Sequence, residues 1–347
     1  MKNIFVMSPV IAFFNTMSLK DRLRCLLSCF ISVLLLSPLT LVKAENNQGQ
    51  SARTLINNMS DAVRNLNYDG VFIYQRGGQM NTLRLIHRAN EDGELERLVS
   101  LTGSAREVIR NKDSVTCIFP DDQAVVVEKS RPRELLSSQL PESIDQLVNN
   151  YHFSILGEDR VAGRLTWVVS IKPKDAYRYG YSFWIDQQNN FLLKSELKNR
   201  TGLLLEQIMF TQLEILEVVS DEMLKPSING AGFTWYNNSK EKKHTDKETG
   251  EWKVGWMPDG FVKNNHEMYP MVDSKRPVDH MVYSDGLAMV SIFIEKMDAK
   301  LGMSAGFSKM GGVNTYAKVA NGYQVTAVGE VPQATVQRMA NSVTGNR

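Results

Sequence analysis

Between residues 70 and 210 the sequence is a succession of short apolar runs cut by polar turns, and that repetition commits the chain to an antiparallel sheet built by meander. In YSFWIDQQNNFLLKSEL, residues 181–197, the amide-rich turn Gln187, Gln188, Asn189, Asn190 separates two strands, the first placing Tyr181, Phe183 and Ile185 on one side. A third run, 203–210, follows the polar turn 198–202. Upstream, GVFIYQR, NTLRLIHRA, ELERLVSLTG, AREVIRN, SVTCIFP and QAVVVEK are divided by Gly77, Gly78, residues 90–93 and residues 120–122, and LTWVVSIKP leads into the 181–197 stretch. Two amphipathic helices accompany the strands. Ile56, Met59, Val63 and Leu66 recur at helical spacing, and so do Ile144, Leu147, Val148 and Tyr151 after Pro141. Alternation alone reads as a solid core, although the same apolar face suits the wall of a cavity.

Residues 221–251 change character and end in YNNSKEKKHTDKETGE, a charged stretch without apolar period that reads as a linker. Domain boundaries follow: 45–220, a linker at 221–251, and a smaller α+β domain at 252–347. In that second domain WKVGWMPDGF carries a Pro-Asp-Gly turn. A hairpin turns about Ser284, Asp285 and Gly286, and another about Asn321 and Gly322. Pro332 opens a closing helix with Val336, Met339, Ala340 and Val343 on one face.

Before all of this stands MSLKDRLRCLLSCFISVLLLSPLTLVKAE: basic residues Lys20, Arg22 and Arg24, an apolar run of about 26–36, then Val42 and Ala44 at the positions a signal peptidase reads. Residues 1–44 are therefore expected to be a cleaved signal peptide, with Met1 and Met17 both open as the start. The serines and Pro38 interrupt the run below the length of a membrane span. This segment holds five basic residues and one acid. Removing them from 40 basic and 38 acidic residues leaves 35 and 37, a balance that lacks the footprint of a nucleic-acid binder. Cys25 and Cys29 leave with the signal, so Cys117 stays alone, expected to be buried among Val115, Ile118 and Phe119.

No motif nominates chemistry. The five histidines are scattered without metal-ligand spacing, there is no G-x-S-x-G or phosphate loop, and GAGFTW lacks the third glycine of a dinucleotide site. An enzyme is not expected, and neither cofactor nor metal is implied.

The segments NLNYDGVFIY, AREVI, YRYGYSFWIDQQNNFLLKSEL with LLEQIMF, WMPDGF, MVYSDGLAMVSIFIE and VGEVPQATVQRMANSV occur in an order that resembles the RseB/MucB family of periplasmic sigma-E regulators. The resemblance covers nearly the whole mature chain, the charged stretch excepted. It implies a first domain like the lipoprotein carriers LolA and LolB, an unclosed antiparallel half-barrel with plugging helices, and hence a lipid or lipopolysaccharide site. Val71, Ile73, Phe183, Ile185 and Leu193 are its candidate lining. It implies a second domain that binds the periplasmic part of an RseA/MucA-like membrane anti-sigma factor and shields it from proteolysis. Candidates there are the hairpin residues Tyr283, Asp285 and Gly286, taken as exposed, with Trp256 and Phe261 near the seam. The plainer reading makes Asp285 and Gly286 turn formers and the aromatics core. A periplasmic lipid or lipoprotein carrier is the competing function, and self-association into a homo-oligomer stays open.

Overall fold

The computed structural model describes residues 51–91, 93–130, 144–237, 252–270, 277–297 and 305–345. The expected signal peptide, Pro141 and residues 238–251 of the charged stretch lie outside the described residues. The first helix, α1 (Ala52–Asn65), begins where the Ser51 hydroxyl accepts the Thr54 N–H at 3.1 Å, and it buries Leu55, Ile56, Met59 and Val63 to 2% exposure or less. Each such burial contributes about 1.5–3 kcal/mol relative to an exposed side chain.

The surface that receives α1 is a twelve-stranded sheet. Its strands are β1 (Asn67–Arg76), β2 (Gln79–Asn90), β3 (Gly93–Ser100), β4 (Glu107–Arg110), β5 (Ser114–Phe119), β6 (Ala124–Lys129), β7 (Tyr151–Val161), β8 (Arg164–Pro173), β9 (Gly180–Asp186), β10 (Leu192–Lys198), β11 (Leu204–Leu216) and β12 (Thr234–Asn237). In space they run β12-β6-β5-β4-β3-β2-β1-β11-β10-β9-β8-β7. Two meanders are thus joined by the β1–β11 pair, and the ends β12 and β7 do not meet, which leaves the barrel unclosed. Tyr68, Phe72, Phe183, Ile185, Phe191, Leu193 and Phe210 form one core with α1. A side chain at Gly70 would strike the Phe210 ring, so the missing Cβ is what lets that ring lie across β1.

Several expectations change. The helix expected from 144 onward shrinks to a 3-10 turn, Ile144–Leu147, and Tyr151 already belongs to β7. β7 itself escapes sequence reading because it is an edge strand exposed over most of its length, with no alternation to detect. The described part of the supposed linker is ordered structure. It holds α2 (Asp221–Leu224), whose Leu224 packs on Ile86 and Val219, and β12, which pairs in parallel with β6. Cys117 is free but only half-buried, because its β5 neighbour Ile118 takes the inward position, and burial raises its thiol pKa.

The second domain stacks helix α3 (Gln333–Asn341) on a six-stranded sheet. The domain's strands are β13 (Trp252–Val254), β14 (Val262–Pro270), β15 (Pro277–Ser284), β16 (Met289–Lys296), β17 (Gly306–Met310), β18 (Val313–Ala320), β19 (Tyr323–Gly329) and β20 (Val343–Gly345). The six run β14-β15-β16-β19-β18-β17, while β13 pairs with β20 alone. Asn321 and Gly322 form the expected two-residue turn between β18 and β19. Val336, Met339 and Ala340 are fully buried against Val290, Ile292 and Ala327.

Candidate functional site at the domain seam

The half-barrel reaches the second domain through the loop between β8 and β9, whose sequence DAYRYGY alternates aromatic and polar groups. Arg178 is its centre, a cation with no exposed side-chain surface. Its Nη1 donates to Asp285 Oδ2 at 2.8 Å, and the Tyr151 hydroxyl donates to the same oxygen at 2.9 Å. Nη2 donates to the Asp259 carbonyl and pairs with Asp175 at 3.2 Å. The guanidinium also lies 5.4 Å from the centre of the Tyr151 ring and 5.2 Å from that of Phe261. Burial first, then the Asp285 charge, lifts the Tyr151 hydroxyl well above its usual pKa, so it remains a donor.

Asp285 is therefore neither exposed nor a mere turn former. It is 4% exposed, because the β15–β16 turn swings its carboxylate inward onto a cation from the other domain. Oδ1 holds the turn, accepting the N–H groups of Leu287 at 2.9 Å and Ala288 at 2.7 Å, while Oδ2 faces Arg178. Gly286 supplies φ +100, which an L side chain adopts only under strain. Tyr283 is buried in the second core with its hydroxyl 3.6 Å from Met281 Sδ. Trp256 sits between Arg338, 4.0 Å above its ring, and Tyr177, edge-on at 4.9 Å.

Around this pair further polar contacts cross the seam. Thr335 donates to the Tyr177 carbonyl at 2.7 Å, and Arg338 donates to the Tyr177 hydroxyl at 2.7 Å. Asn314 donates to the Tyr179 hydroxyl at 2.9 Å, and Tyr181 donates to Glu330 at 3.0 Å. Sequence reasoning missed Tyr177, Arg178, Asn314, Glu330 and Arg338. The run of alternating tyrosines about Arg178 was the available signal, since an arginine set among aromatics commonly stacks and pairs rather than solvates. Such an arrangement is a joint between the domains. It fixes one relative placement of the domains, because buried charges tolerate only geometries in which each finds its partner.

The expected lipid residues divide. Phe183, Ile185 and Leu193 come together with no exposure in the core beneath α1. Val71 and Ile73 do not join them. Tyr68 and Phe72 fix the parity of β1 with their rings toward α1, so Val71 and Ile73 project to the opposite, half-exposed face, where Val71 opposes Arg84.

The MucB/RseB N-terminal domain family matches residues 51–228, and the MucB/RseB C-terminal domain family matches residues 246–344. This chain belongs to the MucB/RseB family. The sigma factor AlgU regulatory protein MucB of Pseudomonas aeruginosa is 32% identical over 323 residues, covering 90% of this chain and 96% of that protein. The sigma-E factor regulatory protein RseB of Haemophilus influenzae is 29% identical, covering 84% and 91%. The crystal structure of MucB in complex with MucA(peri) superposes with a TM-score of 0.67 at 29% identity, covering 86% of this chain and all of that one. Both domains of the MucB/RseB chain, and hence both sides of the seam, fall within these matches.

Proposed function

We propose that this MucB/RseB chain is an exported, periplasmic negative regulator of an envelope-stress sigma factor. It binds the periplasmic domain of a MucA/RseA-like membrane anti-sigma factor and shields it from proteolysis. The observation that carries this reading is the likeness, across both domains, to MucB solved together with MucA(peri). Trp256, Phe261, Tyr283, Asp285 and Gly286 then act on the partner indirectly, by holding the second domain in the binding placement. Release on a lipid or lipopolysaccharide signal fits a half-barrel whose apolar lining, Phe183, Ile185 and Leu193, is covered by α1. A ligand must displace that helix, which couples occupancy to a conformational step. Simple lipid carriage is the second reading, favoured by the same apolar lining, yet it gives the polar seam no task.

Titration calorimetry of the mature chain with the periplasmic peptide of the anti-sigma factor, with and without lipopolysaccharide fragments, tests the reading. Partner binding weakened by lipid, with the reciprocal effect of partner on lipid, is the expected result at a coupling of about 1–3 kcal/mol. Partner affinity unchanged while lipid is bound would leave carriage as the better account. Sequencing of the secreted protein should begin at Glu45, and an intact amino terminus in the membrane fraction would overturn export.

A further inference from the structure

Away from Arg178, the seam buries a second group of ionisable residues with an unequal count of charges. Glu206 on β11 belongs to the half-barrel, and Glu330, after β19, belongs to the second domain. Their carboxyls face one another across the seam, closely enough that each perturbs the other's titration. Arg76 Nε, on β1, is 3.6 Å from Glu206 Oε2 and is the one cation packed against the pair among the described residues. The tyrosines about it donate neutral O–H groups: Tyr74 to Glu206, and Tyr181 from β9 to Glu330 at 3.0 Å. Tyr179 also feels the Glu330 charge, but its hydroxyl is engaged by Asn314. Lys309 lines the same cleft, of about 390 Å³, between the β1–β2 and β17–β18 turns, and it is exposed to solvent. Two carboxyls that share one cation are neutral overall only when one of them keeps its proton, and their burial penalises the excess charge otherwise.

We propose that Glu206 and Glu330 form a proton-dependent latch between the two domains, closed while the pair holds one proton and loosened when both carboxyls ionise. In the closed state the protonated Glu330 carboxyl donates a hydrogen bond to the Glu206 carboxylate, which also lies beside Tyr74 and faces Arg76. Burial, and next the Glu206 charge, pushes the Glu330 carboxyl from its ordinary 4.5 up to about 7. With domains apart, both groups return to water. The docked state thus binds the extra proton, so docking is favoured below the ordinary carboxyl range and loses that support as pH climbs through about 7. Within this window each pH unit lowers the docked-to-undocked ratio by up to about tenfold.

The test needs neither lipid nor partner, so its outcome is separate from that of the regulatory reading. Nitroxide labels at Thr201→Cys and Ala320→Cys, in a Cys117→Ser background of the mature chain, report the inter-domain distance by pulsed dipolar spectroscopy. The unsubstituted pair should give a narrow distribution at about pH 5.5 and a broader one at about pH 8. Glu330→Gln places a neutral N–H donor against Glu206 and should stay narrow at both. Distributions identical at both pH values in the parent would overturn the latch even without a variant. So would a Glu330→Gln chain that broadens as the parent does.

Discussion

The core under α1 and the seam about Arg178 are both buried, and they are built from opposite materials. Under α1, Leu55, Ile56, Met59, Phe183, Phe191 and Phe210 meet through apolar surface, and the stabilisation follows apolar area. At the seam, Arg178, Asp285, Tyr151, Glu206 and Glu330 are desolvated groups whose interactions are directional and costly when unmade. An apolar core tolerates small shifts at a gradual cost. A charged seam is held in one arrangement or lost. The first makes a domain, and the second makes a joint that ligands or protons can bias.

Phe183→Asp attacks the first material and should have the largest effect. The side chain has no exposed surface and stacks 5.6 Å from the Tyr181 ring, so a carboxylate there has neither water nor partner. Loss of the aromatic volume alone costs about 3–5 kcal/mol. The half-barrel should melt at a much lower temperature by calorimetry, and a near-native melt would show that this wall is not a packed core.

Asp285→Asn attacks the second. It keeps an acceptor for the Leu287 and Ala288 N–H groups but removes the charge facing Arg178. Breaking a buried pair costs about 3–5 kcal/mol, and about 3 is expected here because Asp175 remains beside Arg178. Both domains should keep their folds while amide exchange rises along the seam. The double change Arg178→Met with Asp285→Asn should recover most of the loss, since the turn keeps its acceptor and Asp175, left without its cation, is partly open to water. If the double change is worse than the single one, the pair contributes net stability and the contrast drawn between the materials is too sharp.

These two regions also differ in how far the sequence reveals them. The core was legible, because period-2 alternation in YSFWID and helical spacing in LINNMSDAV report which residues share a face. Face assignment failed on β5, where Ile118 and not Cys117 faces inward, and on β1, where Val71 and Ile73 look as apolar as Phe72 and the choice between faces is made by Phe72 and Gly70 packing against distant Phe210. The seam was almost illegible. Asp285 and Gly286 read as a turn, and they are one, but nothing local says that the carboxylate points inward to a cation 107 residues away. Long-range polar pairs leave no periodic trace, whereas apolar faces repeat.

Ser51→Ala carries the smallest effect and bears on how the two regions communicate. The Ser51 hydroxyl caps α1, and losing such a cap costs about 1 kcal/mol of helix stability. That cost appears only in processes that unfold the helix. If a lipid enters the half-barrel by melting α1, the variant has part of the opening already done, and lipid affinity should rise by up to about fivefold. If α1 lifts away intact, the cap is equally weakened in both states, and affinity should not change. Hydrogen exchange of the α1 amides gives the control, since protection must fall in the variant either way. Lower protection with unchanged lipid affinity would assign the opening to a rigid displacement of the helix. The seam would then sense a moving body rather than a melting one.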